Sequence, residues 1–180
     1  MYPDKILLAS EACEGSYPDW IGTGRGTKLD NPEVTWKRAE NYARDIIGDL
    51  QHFTGGWTDW NMFLDTNGGP TWVDKNVDAP ILINTKTGDE FYLQPMYFIL
   101  AHFSKFIPPN SVKVGVTAVT ANKGLEIVAF RTPTNNTVVV IQNRKTAVIA
   151  RVGLQHYWIE LDSVIYYGSI EADAIQTILL

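Results

Sequence analysis

Two short apolar runs, each feeding an amphipathic helix, open this chain, and a string of evenly spaced strand-like segments closes it. That order limits the fold more than any other feature. Strand–helix–strand–helix implies a parallel sheet, because parallel neighbours need a crossover between them. The first run, Ile6–Ala9, is continuously apolar, as in a strand buried on both faces. Residues 14–31 read as a glycine-rich loop with Pro18 inside it. Asn31-Pro32-Glu33 reads as a helix start: Asn caps, Pro suits the first turn, and Glu favours the positive end of the dipole. Ala39, Tyr42, Ala43, Ile46, Ile47, Leu50 and Phe53 then follow the spacing of one buried helical face, and Gly55-Gly56 reads as its stop.

The first half of "WTDWNMFLD", Trp57–Asp65, reads as a second buried strand, and "NGGPTWVDKNVDAP" as a loop. Ile81–Asn84 and Glu90–Tyr92 read as short strands around Thr87-Gly88. Gln94-Pro95 opens a second helix to about Phe106, stopped by Pro108-Pro109. From about residue 110 the character changes. "VKVGVTAVT", "GLEIVAFRT", "TVVVIQN", "TAVIARV", "HYWIEL" and "AIQTILL" read as strands. Turn residues separate them roughly every 8–12 positions, the spacing of a β-sandwich or meander. The expected organisation is a parallel α/β part over residues 1–109 and an all-β part over 110–180.

The 180 residues carry a net charge of −5 and six Trp. The acidic balance argues against a general nucleic-acid binder, which shows a basic face. The tryptophans exceed what a core this size needs, so some line a binding surface in this reading. The one cysteine excludes an internal disulfide. Met1–Lys5 is followed by only four apolar residues, unlike a signal peptide. Asn135-Asn136-Thr137 is a glycosylation triplet, weak on its own.

Active residues of parallel sheets sit at the carboxyl ends of strands. Glu11 and the Trp57–Asn61 cluster both stand where a strand runs out into a loop. A carboxylate there is expected to be partly desolvated yet reachable by a substrate. The plainer readings are a strand-end cap or ion-pair partner for Glu11, and core packing for Trp57 and Trp60. Cys13 reads by default as a small buried hydrophobe, and its spacing to His52, His102 and His156 fits no zinc signature. A Cys/His nucleophile pair stays open but unsupported. Asp45/Asp49 and Asp89/Glu90 read as solvated surface.

Six segments in order carry a further signal: "LLASEACEGS", "RAENYARDIIGDL", "GWTDWNMFLDTNGGPTWV", "VDAPI", "FYLQPMYFILAHFSKFIPP" and "AIQTILL". Together they resemble the C-terminal part of the acid glucosylceramidases of glycoside hydrolase family 30, densely from Ile6 to Pro109 and more thinly beyond. The resemblance implies the last two β/α units of a (β/α)8 TIM barrel, then most of a β-sandwich side domain. Ile6–Glu11 falls on the seventh barrel strand, residues 33–53 on the seventh helix, 56–61 on the eighth strand and 94–106 on the eighth helix.

The resemblance also implies roles. Glu11, the glutamate of the Glu-Ala-Cys motif, falls on the catalytic nucleophile. Trp60 falls on the tryptophan lining the glucose subsite, with Asp59 and Cys13 beside it. Asn76 falls in a loop bordering the pocket entrance, where the family commonly has Asn-Phe and this chain has Lys75-Asn76. That departure leaves the choice of aglycone open. The implied substrate is glucosylceramide or a related β-glucoside, and the implied setting is lysosomal or secreted. The implied partners are a lipid surface, a saposin-type activator and the remaining N-terminal barrel segment. No cofactor or metal is implied. The family's acid/base glutamate belongs to an Asn-Glu-Pro motif, which this sequence lacks. The chain alone is therefore expected to be inactive. The alternatives are a non-catalytic sugar- or partner-binding fragment, and a family member acting on another β-glycan such as a β-glucan or xylan.

Overall fold

The computed structural model describes residues 5–19, 22–73, 75–117, 124–144 and 153–180. The chain forms two compact units, residues 1–101 and 102–180.

In the first unit, β1 (Leu7–Ala12) and β2 (Thr54–Asp59) form a parallel pair joined by helix α1 (Pro32–Gln51). This is the expected β/α order. The α1 start is as read: Asn31 accepts a hydrogen bond from the Val34 N–H at 3.1 Å, and Pro32 occupies the first turn. The buried face of α1 comprises Thr35, Arg38, Ala39, Tyr42, Ala43, Ile46 and Ile47. A small sheet follows, in which β3 (Phe63–Asp65) pairs parallel with β4 (Ile81–Asn84) and β4 antiparallel with β5 (Glu90–Leu93). Leu64, Val77, Ala79 and Leu82 form its core, and Cys13 packs against them. Helix α2 (Pro95–Ser104) buries Met96, Ile99 and Phe103 and runs across the division between the units.

Four expectations fail here for physical reasons. β1 is not a buried strand: Ile6, Leu7 and Leu8 are 84%, 59% and 60% exposed. Among the described residues β1 has a strand neighbour on one side only, so its other backbone edge has no strand partner, and its apolar side chains are left exposed. Phe53 is not on the helical face; it lies beyond the helix, in the left-handed region at φ +67°, and is exposed. Gly55-Gly56 does not stop the helix, which ends at Gln51 with His52 as its cap. Those glycines lie in β2, where a Cβ on Gly55 would come within 3.0 Å of Ile6 and one on Gly56 within 3.0 Å of Leu8. Close approach of two strands, not helix termination, is what they permit. Finally, β3 is a separate short strand beyond the one read in Trp57–Asp65.

In the second unit, four antiparallel strands run in the order β11-β8-β7-β6, with β6 Val112–Val114, β7 Leu125–Arg131, β8 Thr137–Asn143 and β11 Ala174–Leu179. β9 (Gln155–Leu161) and β10 (Val164–Ile170) form a separate antiparallel ribbon. Tyr157 and Ile159 of that ribbon pack with its own Ile170 against Ala129, Val139 and Ile141 of the sheet. Asn143, fully buried, donates to the carbonyls of Gly153 at 2.7 Å and Glu171 at 2.8 Å, while its side-chain oxygen accepts from Gln155 at 2.8 Å. β10 was not read from the sequence. Its turn, Asp162-Ser163, takes positive φ at both residues (+50° and +66°) without the glycine that usually marks such a hairpin. "TAVIARV" and the end of "VKVGVTAVT" lie outside the described residues.

One buried ion pair organises the first unit. Arg38 pairs with Asp78, both side chains being fully inaccessible. Arg38 also donates to the carbonyls of Gly26 and Gly24 at 2.7 Å. Removing one partner of such a pair leaves an uncompensated buried charge. Arg38→Ala should therefore lower the unfolding free energy of this unit by about 3–5 kcal/mol, read from denaturant curves.

Candidate functional site

The β1–β2 register sets Ala12 opposite Asp59, so both strands run out at the same edge. The Trp60 N–H extends that pairing, donating to the Ala12 carbonyl at 2.8 Å and to Asp59 Oδ1 at 2.9 Å. Glu11 and Trp60 thus stand at the carboxyl ends of adjacent parallel strands. Both side chains are exposed, Trp60 at 57%. The partial desolvation expected of Glu11 is not met by the described residues, for the same reason that β1 is open. Cys13 and Asp59 sit behind them, half-buried. Asn76 is half-buried beside the Gly68 turn and lies two residues before Asp78, whose N–H donates to the Glu14 carbonyl at 2.8 Å.

Trp57 is half-buried rather than plain core. Its ring meets Tyr42 edge-on at 5.1 Å, and its indole N–H donates to Asp45 at 2.7 Å. Asp45 is therefore a hydrogen-bond acceptor for β2, not merely solvated surface. Glu90 likewise accepts from the Asn84 side chain at 2.9 Å.

Sequence reasoning missed three residues here. Tyr42 reads as one more apolar-face residue, yet its hydroxyl donates to Asp59 Oδ1 at 2.7 Å. Arg38 breaks the apolar period of the same face, and that was the available signal: a cation on a buried stripe demands an anion. The anion is Asp78 of the Val-Asp-Ala-Pro segment. Glu14, only 3% exposed, is the third. Its position three residues after Glu11 carries no signal in a lone sequence.

The electrostatics follow from burial. Glu14 is pushed up to about 7, first by desolvation and further by Asp78, against the pull of Asn41, the Arg38 guanidinium and Thr23. Asp59 is pushed up to about 6, again first by desolvation, against the hydrogen bonds from Tyr42 and the Trp60 N–H. The Cys13 thiol is raised by burial, against Ser16, with Glu11, Asp59 and Glu14 adding repulsion. A thiol so placed stays protonated, which suits packing and not nucleophilic attack.

Comparison with known proteins fits this geometry. The glycosyl hydrolase family 30 TIM-barrel domain matches residues 1–107, and the beta sandwich domain of the same family matches 110–178. The chain belongs to glycosyl hydrolase family 30. Its fold is part of that family's TIM barrel followed by its β-sandwich domain. Putative glucosylceramidase 4 of Caenorhabditis elegans is 34% identical over 99% of the chain and 32% of its own length. Lysosomal acid glucosylceramidase of Mus musculus is 41% identical over 81% of the chain and 26% of its own length. The crystal structure of SrfJ from Salmonella typhimurium superposes with a TM-score of 0.79 at 22% identity, over 99% of this chain and 35% of that one. The chain thus spans between 26% and 35% of the length of these proteins.

The raised acids make stability depend on pH with a definite sign. Each binds a proton more tightly folded than at its ordinary value, 3.8 for Asp59 and 4.5 for Glu14. The stability they contribute is fully present below those values and is lost as pH rises through about 6 and about 7. Melting temperatures should fall from about pH 4 to about pH 8, and Glu14→Gln should flatten the upper part of that fall.

Proposed function

We propose that this chain is the nucleophile-bearing part of a retaining β-glucosidase that cleaves glucosylceramide into glucose and ceramide in the lysosome. The observation that supports the reading is that β1 and β2 end together, the Trp60 N–H donating to the carbonyl of Ala12, the residue after Glu11. The family match and the glucosylceramidase relatives support it.

In this reading Glu11 attacks the anomeric carbon and forms a glycosyl ester, which water then hydrolyses. Trp60 supplies an aromatic face against the sugar. Cys13 packs, and Asn76 stands in the loop that borders the aglycone. A retaining enzyme also needs a carboxylic acid about 5–5.5 Å from the nucleophile to protonate the leaving oxygen. Asp59 is engaged through Oδ1 by Tyr42 and Trp60, and Glu14 is buried. Neither suits that task. The acid is therefore assigned to the rest of the barrel, and the open apolar edge of β1 is where the neighbouring strand pairs. A saposin-type activator and a lipid surface belong to the same reading, as partners of the complete enzyme.

Two measurements test it. The 180-residue chain alone should not hydrolyse a fluorogenic β-glucoside; turnover at an enzyme's ordinary rate, roughly 1–10³ s⁻¹, would overturn the division of labour. In the complete enzyme, a glucose-configured cyclitol epoxide should label Glu11. Glu11→Gln should abolish labelling and turnover while leaving the fold intact, and Trp60→Ala should weaken sugar binding by about 1–3 kcal/mol. Labelling of Cys13 or of another carboxylate returns Glu11 to a structural strand-end role.

A further inference from the structure

The β9–β10 ribbon has two unlike faces. Residues paired across an antiparallel ribbon share a face, and successive residues alternate between faces. Tyr157, Ile159 and Ile170 turn inward and pack with the four-stranded sheet. Gly168, the cross-strand partner of Tyr157, leaves room for its ring, which a Cβ there would overlap. The Tyr157 hydroxyl then donates to Gln176 of β11 at 3.0 Å. Gln155, buried at the start of β9, donates to Asn143 of β8 at 2.8 Å. The inner face is tied down at both places, so the outer face is held in one orientation.

Three cross-strand pairs make that outer face: His156–Ser169, Trp158–Tyr167 and Glu160–Ile165. The described residues leave all six exposed, Trp158 at 52% and Tyr167 at 81%. Outward positions of a sandwich are ordinarily polar, so packing does not account for an aromatic pair here.

Charge and area narrow what the strip can take. Nucleic acids and anionic membranes are met by aromatics interleaved with Lys or Arg. None of the six is Lys or Arg, and Glu160 stands among them. Arg131, from β7, faces Asp162 of the hairpin turn at 3.9 Å. From His156 to Glu160 on two strands the strip measures roughly 10 Å by 17 Å. A partner in a stable protein complex buries about 800 Å². A neutral sugar chain matches both limits. A pyranose has C–H bonds on its flat face and hydroxyls round its edge. The C–H face lies on an aromatic ring, whose own face is negative. The hydroxyls meet an imidazole and a hydroxyl at one end of the strip and a carboxyl at the other.

We propose that the outer face of the β9–β10 ribbon is a binding site for a neutral oligosaccharide, with Trp158 and Tyr167 as its stacking platform and His156, Ser169 and Glu160 as its hydrogen-bonding rim. Chains of β-linked glucose, whose ring substituents are equatorial, present the flattest C–H face and fit it best. The site belongs to the second unit and does not depend on the roles given to Glu11 and Trp60.

The test is titration of the 180-residue chain with cellohexaose, followed by calorimetry and by 15N–1H NMR. Binding should be saturable, with shifts at the Trp158 indole N–H and at the Tyr167 and Ser169 amides. Trp158→Ala should raise the dissociation constant roughly tenfold. Trp158→Phe, which keeps a ring, should retain most of the affinity. The melting temperature should barely move in either variant, because the side chain is exposed. If Trp158→Ala fails to fold, shifts confined to the ribbon in the wild-type chain still decide the matter. Absence of saturable binding overturns the proposal, and so do shifts at Trp60 with none on the ribbon. Capture by phosphatidylserine-containing vesicles, or self-association in sedimentation, overturns it too if Trp158→Ala abolishes that behaviour and spares sugar binding.

Discussion

The buried Arg38–Asp78 pair is the constraint on which the rest of the first unit depends. A guanidinium has five donors in a rigid fork and no acceptor, so burying it calls for several oxygens around it. Asp78 supplies the charge and the carbonyls of Gly26, Gly24 and Thr23 engage the two terminal nitrogens, the last at 3.2 Å, while the buried Nε has no hydrogen-bond partner among the described residues. One α1 side chain thereby fixes the loop after β1 and the segment before β4. Asp78 in turn accepts from the Ala79 N–H at 2.9 Å and from Gln94 at the entrance to α2. The ends of β1 and β2 are held from behind by charge and hydrogen bonds, while their apolar faces remain open.

That arrangement explains why the neighbouring acids hold their protons more tightly than usual. One guanidinium balances one carboxylate, and Asp78 takes it through direct contact. Glu14, at 3% exposure, is a second carboxylate with only a share of the same cation. Protonation is the cheaper state for such a group. The same logic reaches Asp59, which has donors but no cation of its own. A cluster of acids around a single arginine therefore resolves into one ion pair and neighbours whose pKa values are raised.

How much was legible follows from where the information sits. The start of α1 was readable because Asn31, Pro32 and Glu33 act within one turn. Its buried stripe was readable because helical period is local. β7, β8, β9 and β11 were readable from β-branched and aromatic runs between turns. The failures are cases in which a distant partner decides. Gly55-Gly56 looks like a helix stop in sequence and serves the approach of Ile6 and Leu8 in space. Ile6–Leu8 looks buried because apolar strands usually have two neighbours, and here one is described. β10 escaped because Asp162-Ser163 makes a tight turn without glycine. At the site, strand-end position marked Glu11 and Trp60 as candidates, and only resemblance gave them roles. Tyr42 and Glu14 were invisible, since a hydroxyl on a helical face reveals its acceptor only after folding.

The contrast between Glu11 and Glu14 shows why burial, more than residue type, assigns chemistry here. They are three residues apart on one strand end. Glu11 is exposed at the end of β1. Glu14 is sealed beneath, where burial pushes its carboxyl up to about 7 and its backbone carbonyl anchors Asp78 at 2.8 Å. A scaffold acid beside an ion pair has to avoid adding a charge, since an ionised Glu14 would compete with Asp78 for Arg38. The stretch Glu11-Ala12-Cys13-Glu14 thus descends from solvent into the core, from an exposed carboxylate through a half-buried thiol to a buried acid whose pKa is raised.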